Sequence, residues 1–582
     1  MFRRLPLLLV AALLAAPVLA SPKAEFDALL ADHWQAWLAR NPVSATGLGV
    51  RTHDKALEDL SLSAMDRAAA DAAAFRKRLA AIDRAQLSPA DQLSADVLDR
   101  LLAEEVEGNR FPARAMLFTN REGFHTYFAV LPELVPLFTL ADHESYVARL
   151  EAFPRQMDQA IATTRLAVDQ GYALPCVVLD GFADGVRQVA EPVATSRFLK
   201  PFATRPATIS EKDWAALKAR ATRAVEAGVN PAYRRFADYF ADEYLPACRA
   251  APGISAAPGG AEYYAWRTRV ETTTDRTPGE IHALGLSEVA RIRAEMEVVA
   301  KRAGFPSREA YVQHLRTDPR YYAKTPEELM QAAAYWAKVA DLWMPRLFGR
   351  LPRLPYGLQP IPAETAPYTT TAYYQPGAPA AGRAGVYFVN TSKLNERPLF
   401  ELPALTIHEA VPGHHHQIAL QQELDLPEFR RHAAYFTAFT EGWGLYSERL
   451  GIEMGAYAEP ANDMGRLSYE MWRATRLVVD TGLHSKGWSK QQAVDFMLDN
   501  TALSAANIDA EVNRYIAWPG QALAYKIGEL KIRELRALAE KELGPRFDLR
   551  AFHDRLLENG ALPLDVLETR IRAWIASEKA RG

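Results

Sequence analysis

Hydrophobic positions recur along most of the chain at the three- and four-residue spacing of amphipathic helices. From residue 21 to about residue 250 this spacing is sustained, and runs that alternate apolar and polar residues are scarce. Ser or Thr stands three residues before an acid or amide at five predicted helix starts, a pattern in which the side-chain oxygen caps free backbone N–H groups. The five pairs are Ser88 with Asp91, Ser210 with Asp213, Thr277 with Glu280, Thr325 with Glu328 and Ser489 with Gln492. The pattern predicts a mainly α protein.

Two segments interrupt the helical pattern. Residues 251–260 are rich in Pro, Gly and Ala and are predicted to form a loop at a domain boundary. Residues 352–379 contain seven prolines, so this segment is predicted to be extended or irregular. The β-prone runs 372–374 and 386–389 are predicted to form a small hairpin or edge-strand pair.

The N-terminus has the pattern of a secretory signal. Arg3 and Arg4 precede an apolar run that ends in Val18-Leu19-Ala20, so cleavage is expected after Ala20. Prolines interrupt this run, whereas a membrane span needs about 20 apolar residues. We therefore expect an exported protein, periplasmic or secreted. In an oxidising compartment the two cysteines, Cys176 and Cys248, could pair, or they could remain free thiols.

Composition excludes several classes of protein. The 582 residues include 68 Lys and Arg against 71 Asp and Glu, a formal net charge of −3. This balance provides no basic surface for nucleic acid or an anionic membrane, and no later segment is apolar enough for stable membrane insertion. Two cysteines are too few for a disulfide scaffold or a Cys-rich zinc module. The sequence leaves the oligomeric state open.

A cluster of histidines carries the candidate chemistry. Four of the 13 histidines lie within residues 408–416, and Glu409 directly follows the first of them. In the H-E-x-x-H zinc motif the two histidines are four residues apart and share one helix face. Here His414 comes six residues after His408, which in a regular helix is about 9 Å along the axis. We expect a widened, π-like turn over residues 410–413 to return His414 to the metal side, with His415 as the alternative ligand.

Glu441 is the predicted third ligand. It lies in an apolar, aromatic stretch, where an unpaired carboxylate would be costly, and the alternative is a salt bridge to an arginine. Gly442 and Gly444 let this helix approach another closely. Glu448 lies two helical turns after Glu441 and is predicted to bond a metal-ligating side chain rather than the metal itself. Zinc held by two histidines and one glutamate would keep an open position for catalysis.

These residues resemble a known family. The runs at 408–415 and 441–448, together with Arg514-Tyr515-Ile516, Pro519-Gly520-Gln521 and Tyr525, resemble the domain-of-unknown-function 885 family of bacterial proteins. That family is similar in turn to helical zinc peptidases such as carboxypeptidase Taq, thimet oligopeptidase and angiotensin-converting enzyme. The resemblance implies a large, helical, two-lobed body with a deep cleft. We expect an N-terminal helical lobe over residues 21–250 and a catalytic lobe with the metal site over residues 261–582.

The resemblance also suggests roles for individual residues. Glu409 is the predicted general base, and Tyr525, with Tyr515 as second candidate, is the predicted donor to the oxyanion. Arg514 is a candidate for binding a substrate carboxylate, with a surface ion pair as the alternative. The strand at 386–389, with Tyr387, is predicted to pair with an extended substrate.

The resulting hypothesis is a zinc metallopeptidase that cleaves short peptides. Two alternatives remain: a zinc hydrolase of a non-peptide amide or ester, and a non-catalytic binding protein of the export compartment. The chain contains no Gly-x-Ser-x-Gly and no Gly-x-x-x-x-Gly-Lys motif, which disfavours a serine hydrolase and a nucleotide enzyme.

Overall fold

The computed structural model describes residues 21–190, 192–363, 366, 369–379 and 382–581. The predicted signal peptide, residues 1–20, lies outside the described residues. Helix dominates the described part of the chain, which confirms the predicted mainly α class. Among these residues, every helix is too short or too polar to span a bilayer.

The helices fall into two groups along the chain. Those before residue 275 are α1 (Pro22–Arg40), α2 (Pro42–Gly47), α3 (Leu62–Ala81), α4 (Pro89–Gly108), α5 (Phe124–Ala129), α6 (Leu131–Leu134), α7 (Leu140–Asp169), α8 (Phe182–Val189), α9 (Glu211–Ala224), α10 (Asn230–Tyr239) and α11 (Gly260–Thr272). Those after it are α12 (Pro278–Arg302), α13 (Arg308–Thr317), α14 (Pro326–Leu347), α15 (Leu402–Glu409), α16 (His414–Glu423), α17 (Glu428–His432), α18 (Thr437–Leu450), α19 (Pro460–Ser485), α20 (Lys490–Asn500), α21 (Ala505–Ala517), α22 (Ala524–Leu543), α23 (Leu549–Leu557) and α24 (Leu564–Ala580). Short 3₁₀ turns connect many of them.

All five predicted capping pairs begin a helix. The side-chain oxygens of Ser88, Ser210, Thr277, Thr325 and Ser489 each accept the backbone N–H three residues on, at the starts of α4, α9, α12, α14 and α20. At α12 and α20 the residue at the third helical position also accepts the N–H of the cap. The caps were predictable because both partners are close in sequence.

A three-stranded sheet lies in the proline-rich part of the chain. Its strands are β1 (Tyr356–Pro360), β2 (Ala372–Gln375) and β3 (Gly385–Val389), in the order β1-β3-β2. β3 pairs in parallel with β1 and antiparallel with β2. The predicted pairing of β2 with β3 is confirmed, and β1 is an additional strand. Because β3 is central, the prediction that residues 386–389 offer an edge to substrate is wrong, and β2 is the edge strand instead.

The two cysteines are paired. Cys176 and Cys248 form a disulfide with their Cα atoms 5.0 Å apart, and the neighbouring backbones bond through Cys176 N–H to Arg249 O at 2.9 Å. Pairing is therefore the alternative that the fold adopts, and it links the segment after α7 to the segment after α10.

Two glycines allow α18 and α22 to pack at very short range. A Cβ built on Gly442 would lie 2.5 Å from Gly528 Cα, and a Cβ on Gly528 would overlap the carbonyl oxygen of Ala438. The short distance between α18 and α22 agrees with the prediction that Gly442 lets its helix approach another helix closely. It places the start of α18, with Glu441, directly against the helix that carries Tyr525.

The Gly528→Ala variant is expected to be clearly less stable than the wild-type protein. The added methyl group meets backbone atoms, which cannot rotate away, so overpacking should lower the free energy of unfolding by about 1–3 kcal/mol. Urea unfolding followed by circular dichroism measures the change. Gly185→Ala is the matched control, because Gly185 also lies in a helix but has open space around its Cα. Equal effects in both variants would contradict the packing argument.

A buried charge cluster fixes the helices behind the site. Lys526 on α22 is fully buried, and its Nζ lies 3.1 Å from Glu288 on α12, 2.8 Å from Glu470 on α19 and 2.9 Å from Glu529. A buried ammonium needs such compensation, and removing one partner of a buried ion pair is strongly destabilising. The cluster therefore ties three helices in one relative position.

Candidate metal centre

The metal-motif helix is broken in two between the predicted histidine ligands. α15 ends at Glu409, residues 410–413 form a turn that contains a cis Val411–Pro412 peptide bond, and α16 begins at His414. The turn over residues 410–413 is not π-helical, so the predicted π-like form is wrong, although the turn does return His414 to the side of His408 as expected. Gly413 N–H donates to Ile407 O at 3.0 Å, and Trp443 Nε1 donates to Pro412 O at 2.7 Å, which anchors the turn from α18.

Gly413 is required at this turn by close packing. A Cβ at this position would overlap the carbonyl oxygens of Ile407 and His408. The absent side chain lets the chain fold back onto the end of α15. As a result the rings of His408 and His414 lie with their centroids 4.6 Å apart, although six residues separate them.

The structure brings together the three predicted metal ligands. His408 Nε2 lies 3.6 Å and His414 Nε2 lies 3.4 Å from Glu441 Oε2, and one ligand atom from each residue lies within 4.8 Å of the others. Burial alone would raise the pKa of Glu441, but His414 and His408 outweigh it and hold that pKa well below its usual range. The carboxylate is therefore ionised and ready to act as a ligand.

Glu448 supports His408 from the side opposite the cluster. Its Oε1 lies 2.8 Å from His408 Nδ1, and Arg473 Nη2 lies 2.9 Å from the same oxygen. Burial lowers the pKa of His408, but the contacts with Glu441 and Glu448 outweigh it and raise the pKa to about 9. A carboxylate behind a ligand histidine is the common arrangement of protein metal sites, and an ion binding here would displace the proton on Nε2.

These donors fit a divalent ion. Two imidazole nitrogens and one carboxylate oxygen are the protein ligands of many catalytic zinc sites. Ligand atoms at about 2.0–2.2 Å from a tetrahedral zinc are about 3.3–3.6 Å from one another, and both histidine nitrogens meet this spacing relative to Glu441.

His415, the alternative ligand, lies away from the cluster. Its Nδ1 is 2.9 Å from the hydroxyl of Tyr374, and its Nε2 donates to Leu354 O at 3.0 Å. Burial lowers the pKa of His415 to about 4, so the ring is neutral. His415 connects α16 to the sheet instead of offering a nitrogen to a metal.

A cavity of about 580 Å³ opens onto the cluster. Its lining includes His408, Glu409, His414, Glu441 and Tyr525. Glu409 makes no hydrogen bond or ion pair with a described residue, so its carboxylate is available to the cavity. The residues of β2 also line this cavity, which places the edge of the sheet beside the metal cluster.

Two predicted site residues are built into the protein interior. Tyr515 is almost fully buried, and its hydroxyl accepts from Trp472 Nε1 and Arg476 Nε, each at 2.9 Å. Tyr387 is fully buried on β3, with its hydroxyl 3.4 Å from Thr406 Oγ1. The predictions that they contact substrate are therefore wrong, because the packing that buries them also occupies their hydroxyls.

Arg514 lines the cavity, and two further arginines join it. Its Nη2 lies 2.9 Å from Glu511 Oε2, and its Nη1 donates to Gln521 at 2.8 Å. Arg473 and Arg476, one turn apart on α19, also line the cavity. Neither arginine was predicted from the sequence, although two arginines in an otherwise apolar helical stretch are a recognisable signal for buried, partnered charges.

A second cavity, away from the metal cluster, is lined by residues that already pair with one another. It has a volume of about 830 Å³, and its lining includes Arg51, Asp54 and Asp142. Arg51 forms ion pairs with both acids, at 2.5 Å from Asp142. These charges satisfy one another and leave no convergent set of donors.

The Gly444→Ala variant tests the spacing around the first ligand. A Cβ at this position would lie 2.7 Å from His408 Cε1 and 2.9 Å from its Nε2, so the ring must move. We expect metal affinity to fall by about 10–100-fold, as for other changes that misplace a ligand. Competition with a chelating dye measures the affinity. Gly185→Ala, whose added methyl group meets no neighbouring atom and which does not line the cavity, should keep the affinity of the wild-type protein, and equal losses in both variants would contradict a role for the His408 contact.

One family model and two solved structures are similar to this chain. The family model described as "Bacterial protein of unknown function (DUF885)" matches residues 42–571. A crystal structure of a "putative lipoprotein" from Colwellia psychrerythraea is similar at 29% identity and a TM-score of 0.88, covering 96% of this chain and 100% of that chain. The structure of a "putative lipoprotein of unknown function" from Shewanella oneidensis shares the fold at 19% identity and a TM-score of 0.66, covering 95% of this chain and 99% of that chain. No curated protein matches the chain significantly.

Proposed function

This chain belongs to the bacterial DUF885 family, and we propose that it is a zinc-dependent hydrolase that cleaves short peptides. The observation that carries the proposal is the convergence of His408, His414 and Glu441 on one point, with Glu409 beside them, at the wall of a cavity. Convergent buried donors next to a free carboxylate are the elements of metal-assisted hydrolysis.

The first part of the proposal concerns the metal. His408, His414 and Glu441 would hold one divalent ion, with zinc as the expected species. When bound, such an ion supplies Lewis acidity, which polarises a carbonyl group and makes water a stronger nucleophile at neutral pH. Glu448 Oε1 lies 2.8 Å from His408 Nδ1 and 2.9 Å from Arg473 Nη2, so it would orient the ring with Nε2 toward the ion.

The second part concerns proton transfer. Glu409 accepts a proton from the attacking water and then delivers it to the leaving amine, which one carboxylate can do in sequence. Tyr525 donates its phenolic hydrogen to the developing oxyanion. Burial, together with the charge of Glu441, raises the pKa of Tyr525, so the phenol keeps the proton that it must donate at neutral pH.

A peptide is the substrate that the cavity walls favour. β2 is an edge strand along the cavity, and an extended peptide backbone can pair with such an edge. Two histidines, a distant glutamate and an edge strand beside the site are also the features common to helical zinc peptidases. We therefore extend the proposal to a metallopeptidase of that type.

The protein is also proposed to be exported. The signal-like residues 1–20 and the disulfide between Cys176 and Cys248 suit an oxidising compartment. The similar protein from Colwellia psychrerythraea is described as a lipoprotein, a class of exported proteins. No cysteine follows the signal-like run here, so lipid attachment at that position is not part of the proposal.

Metal analysis combined with a peptide-library assay tests the function. We expect the purified protein to hold about one zinc per chain, to lose hydrolysis on chelation and to regain it when zinc is added. Hydrolysis of amide or ester libraries but not of peptides would favour the non-peptide hydrolase. A protein that binds no metal and hydrolyses nothing would contradict the proposal and favour a binding role.

A further inference from the structure

Part of the cavity is built from charged side chains that the proposed chemistry does not use. Arg476 on α19 and Arg514 on α21 both contact one oxygen, Oε2 of Glu511, at 3.2 Å and 2.9 Å. All three residues line the cavity. Burial would raise the pKa of Glu511, but Arg514 and Arg476 lower it to about 2. Because arginine keeps its proton, this trio carries one net positive charge at neutral pH.

Arg476 has one hydrogen-bonding group left over. Its Nε donates to the hydroxyl of Tyr515 at 2.9 Å and its Nη2 to Glu511, and these two contacts fix the plane of the guanidinium. Its Nη1 is buried and has no partner among the described residues. A buried donor without a partner costs about 1–3 kcal/mol, so this nitrogen is poised for an acceptor that enters the cavity.

The charged trio borders the metal cluster. The guanidinium carbon of Arg476 lies 4.3 Å from the ring centre of Tyr525, and the charge of Glu441 influences the same tyrosine. Arg121, which also lines the cavity, adds a further positive charge that acts on Glu511. An anion bound by Arg476 would therefore occupy the same cavity as the scissile bond.

We propose that Arg476, together with Arg514, binds the C-terminal carboxylate of the substrate, so that the enzyme acts on short peptides with a free C-terminus. That the ligand is a peptide rests on the proposed function. That the ligand carries a negative charge rests on the two arginines alone. The unpartnered Nη1 of Arg476 offers one charge-assisted hydrogen bond to a carboxylate oxygen, and Arg514 adds a second positive charge beside it.

Binding can be tested without hydrolysis. A mixed tripeptide library is synthesised once as C-terminal acids and once as C-terminal amides, and each pool is incubated with zinc-loaded Glu409→Gln protein. Mass spectrometry of the retained peptides should show acids enriched over amides by about 10-fold or more, because hydrogen bonds to charged groups are strong. Adding Arg476→Gln should abolish the enrichment. Equal retention of the two pools, or retention of neither, would overturn the carboxylate subsite.

The matched control is Arg466→Gln in the same background. Arg466 is a buried arginine of α19 that bonds Asp463 and Glu470 and does not line the cavity. It should cost stability but leave the acid-to-amide ratio unchanged. A ratio that falls equally in both variants would assign the effect to α19 as a whole and overturn the role of Arg476. If Arg476→Gln does not fold, the charge-conserving Arg476→Lys replaces it in the experiment. A ratio of retained acids to amides that is lower in Arg476→Lys than in the protein with Arg476 supports the subsite, and an unchanged ratio overturns it.

Hydrolysis by the wild-type protein separates the two proposals. If acids are bound preferentially but no peptide is cleaved, the subsite stands and the proposed function fails. If acids and amides are cleaved with equal kcat/KM, the function stands and the subsite fails. We expect kcat/KM to be at least about 10-fold higher for the acids.

Discussion

Replacing Glu409 with glutamine is expected to lower kcat/KM by about 10²–10⁴-fold, the range that general acid–base groups contribute. Glutamine has nearly the same shape but cannot accept the proton of water. Glu409 lies next to His408 at the cavity, and its replacement by glutamine breaks no hydrogen bond or ion pair with another described residue. Zinc content and the thermal unfolding midpoint should therefore match those of the wild-type protein. Steady-state kinetics on a cleaved peptide, with metal analysis in parallel, measure both effects.

The control for this variant is Asp425→Asn. Asp425 is exposed, lies after α16 and also loses one carboxylate charge in the variant. Its kcat/KM should equal that of the wild-type protein. If Glu409→Gln retains full activity with zinc bound, Glu409 is not the base and the proposed proton transfers are wrong.

Replacing His414 with alanine is expected to remove most of the metal affinity. The change deletes one of three donors, so the loss should exceed the 10–100-fold that is typical for supporting residues. His415→Ala is the matched variant, since it removes the adjacent ring. His415 bonds Tyr374 and Leu354, so its loss should lower stability by about 1–3 kcal/mol while zinc remains bound.

The two variants together identify the second histidine ligand. Zinc content after dialysis and competition with a chelating dye give the affinities, and urea unfolding gives the stabilities. The reverse result, with zinc lost from His415→Ala and kept by His414→Ala, would show that the turn between α15 and α16 is arranged differently in solution. Loss of zinc from both variants would point to disruption of α16 rather than to a ligand.

The elements best predicted from sequence were those stabilised by neighbours in the chain. The caps at Ser88 and Thr277 were read correctly because the bonded atoms are three residues apart. The pairing of β2 with β3 followed from short β-prone runs around a turn. β1 was not identified, because its partner β3 lies about 30 residues further on and its proline-rich context resembles irregular chain.

The candidate site was predicted in outline but not in its internal bonding. The spacing of His408, His414 and Glu441 was interpreted as a metal site, and the structure brings these three together. The helix between the histidines was expected to widen but instead breaks, because Gly413 allows the chain to cross the carbonyls of α15. Tyr515 belongs to the Arg514-Tyr515-Ile516 run and was predicted as a donor to the oxyanion. Its hydroxyl instead accepts hydrogen bonds from Trp472 and Arg476 on α19.

The helical class, the helix starts and the residue types able to hold a metal could all be predicted from the sequence, because they depend on local bonding and on the intrinsic chemistry of side chains. Tertiary structure alone decided which side chains remain available to the cavity. His415, Tyr387 and Tyr515 bond partners that are distant in the chain, whereas Glu409 lines the cavity and Arg476 Nη1 has no partner among the described residues. Those partners come from elements distant in the chain, which is why the spacing of residues along the sequence could not identify the side chains that stay available.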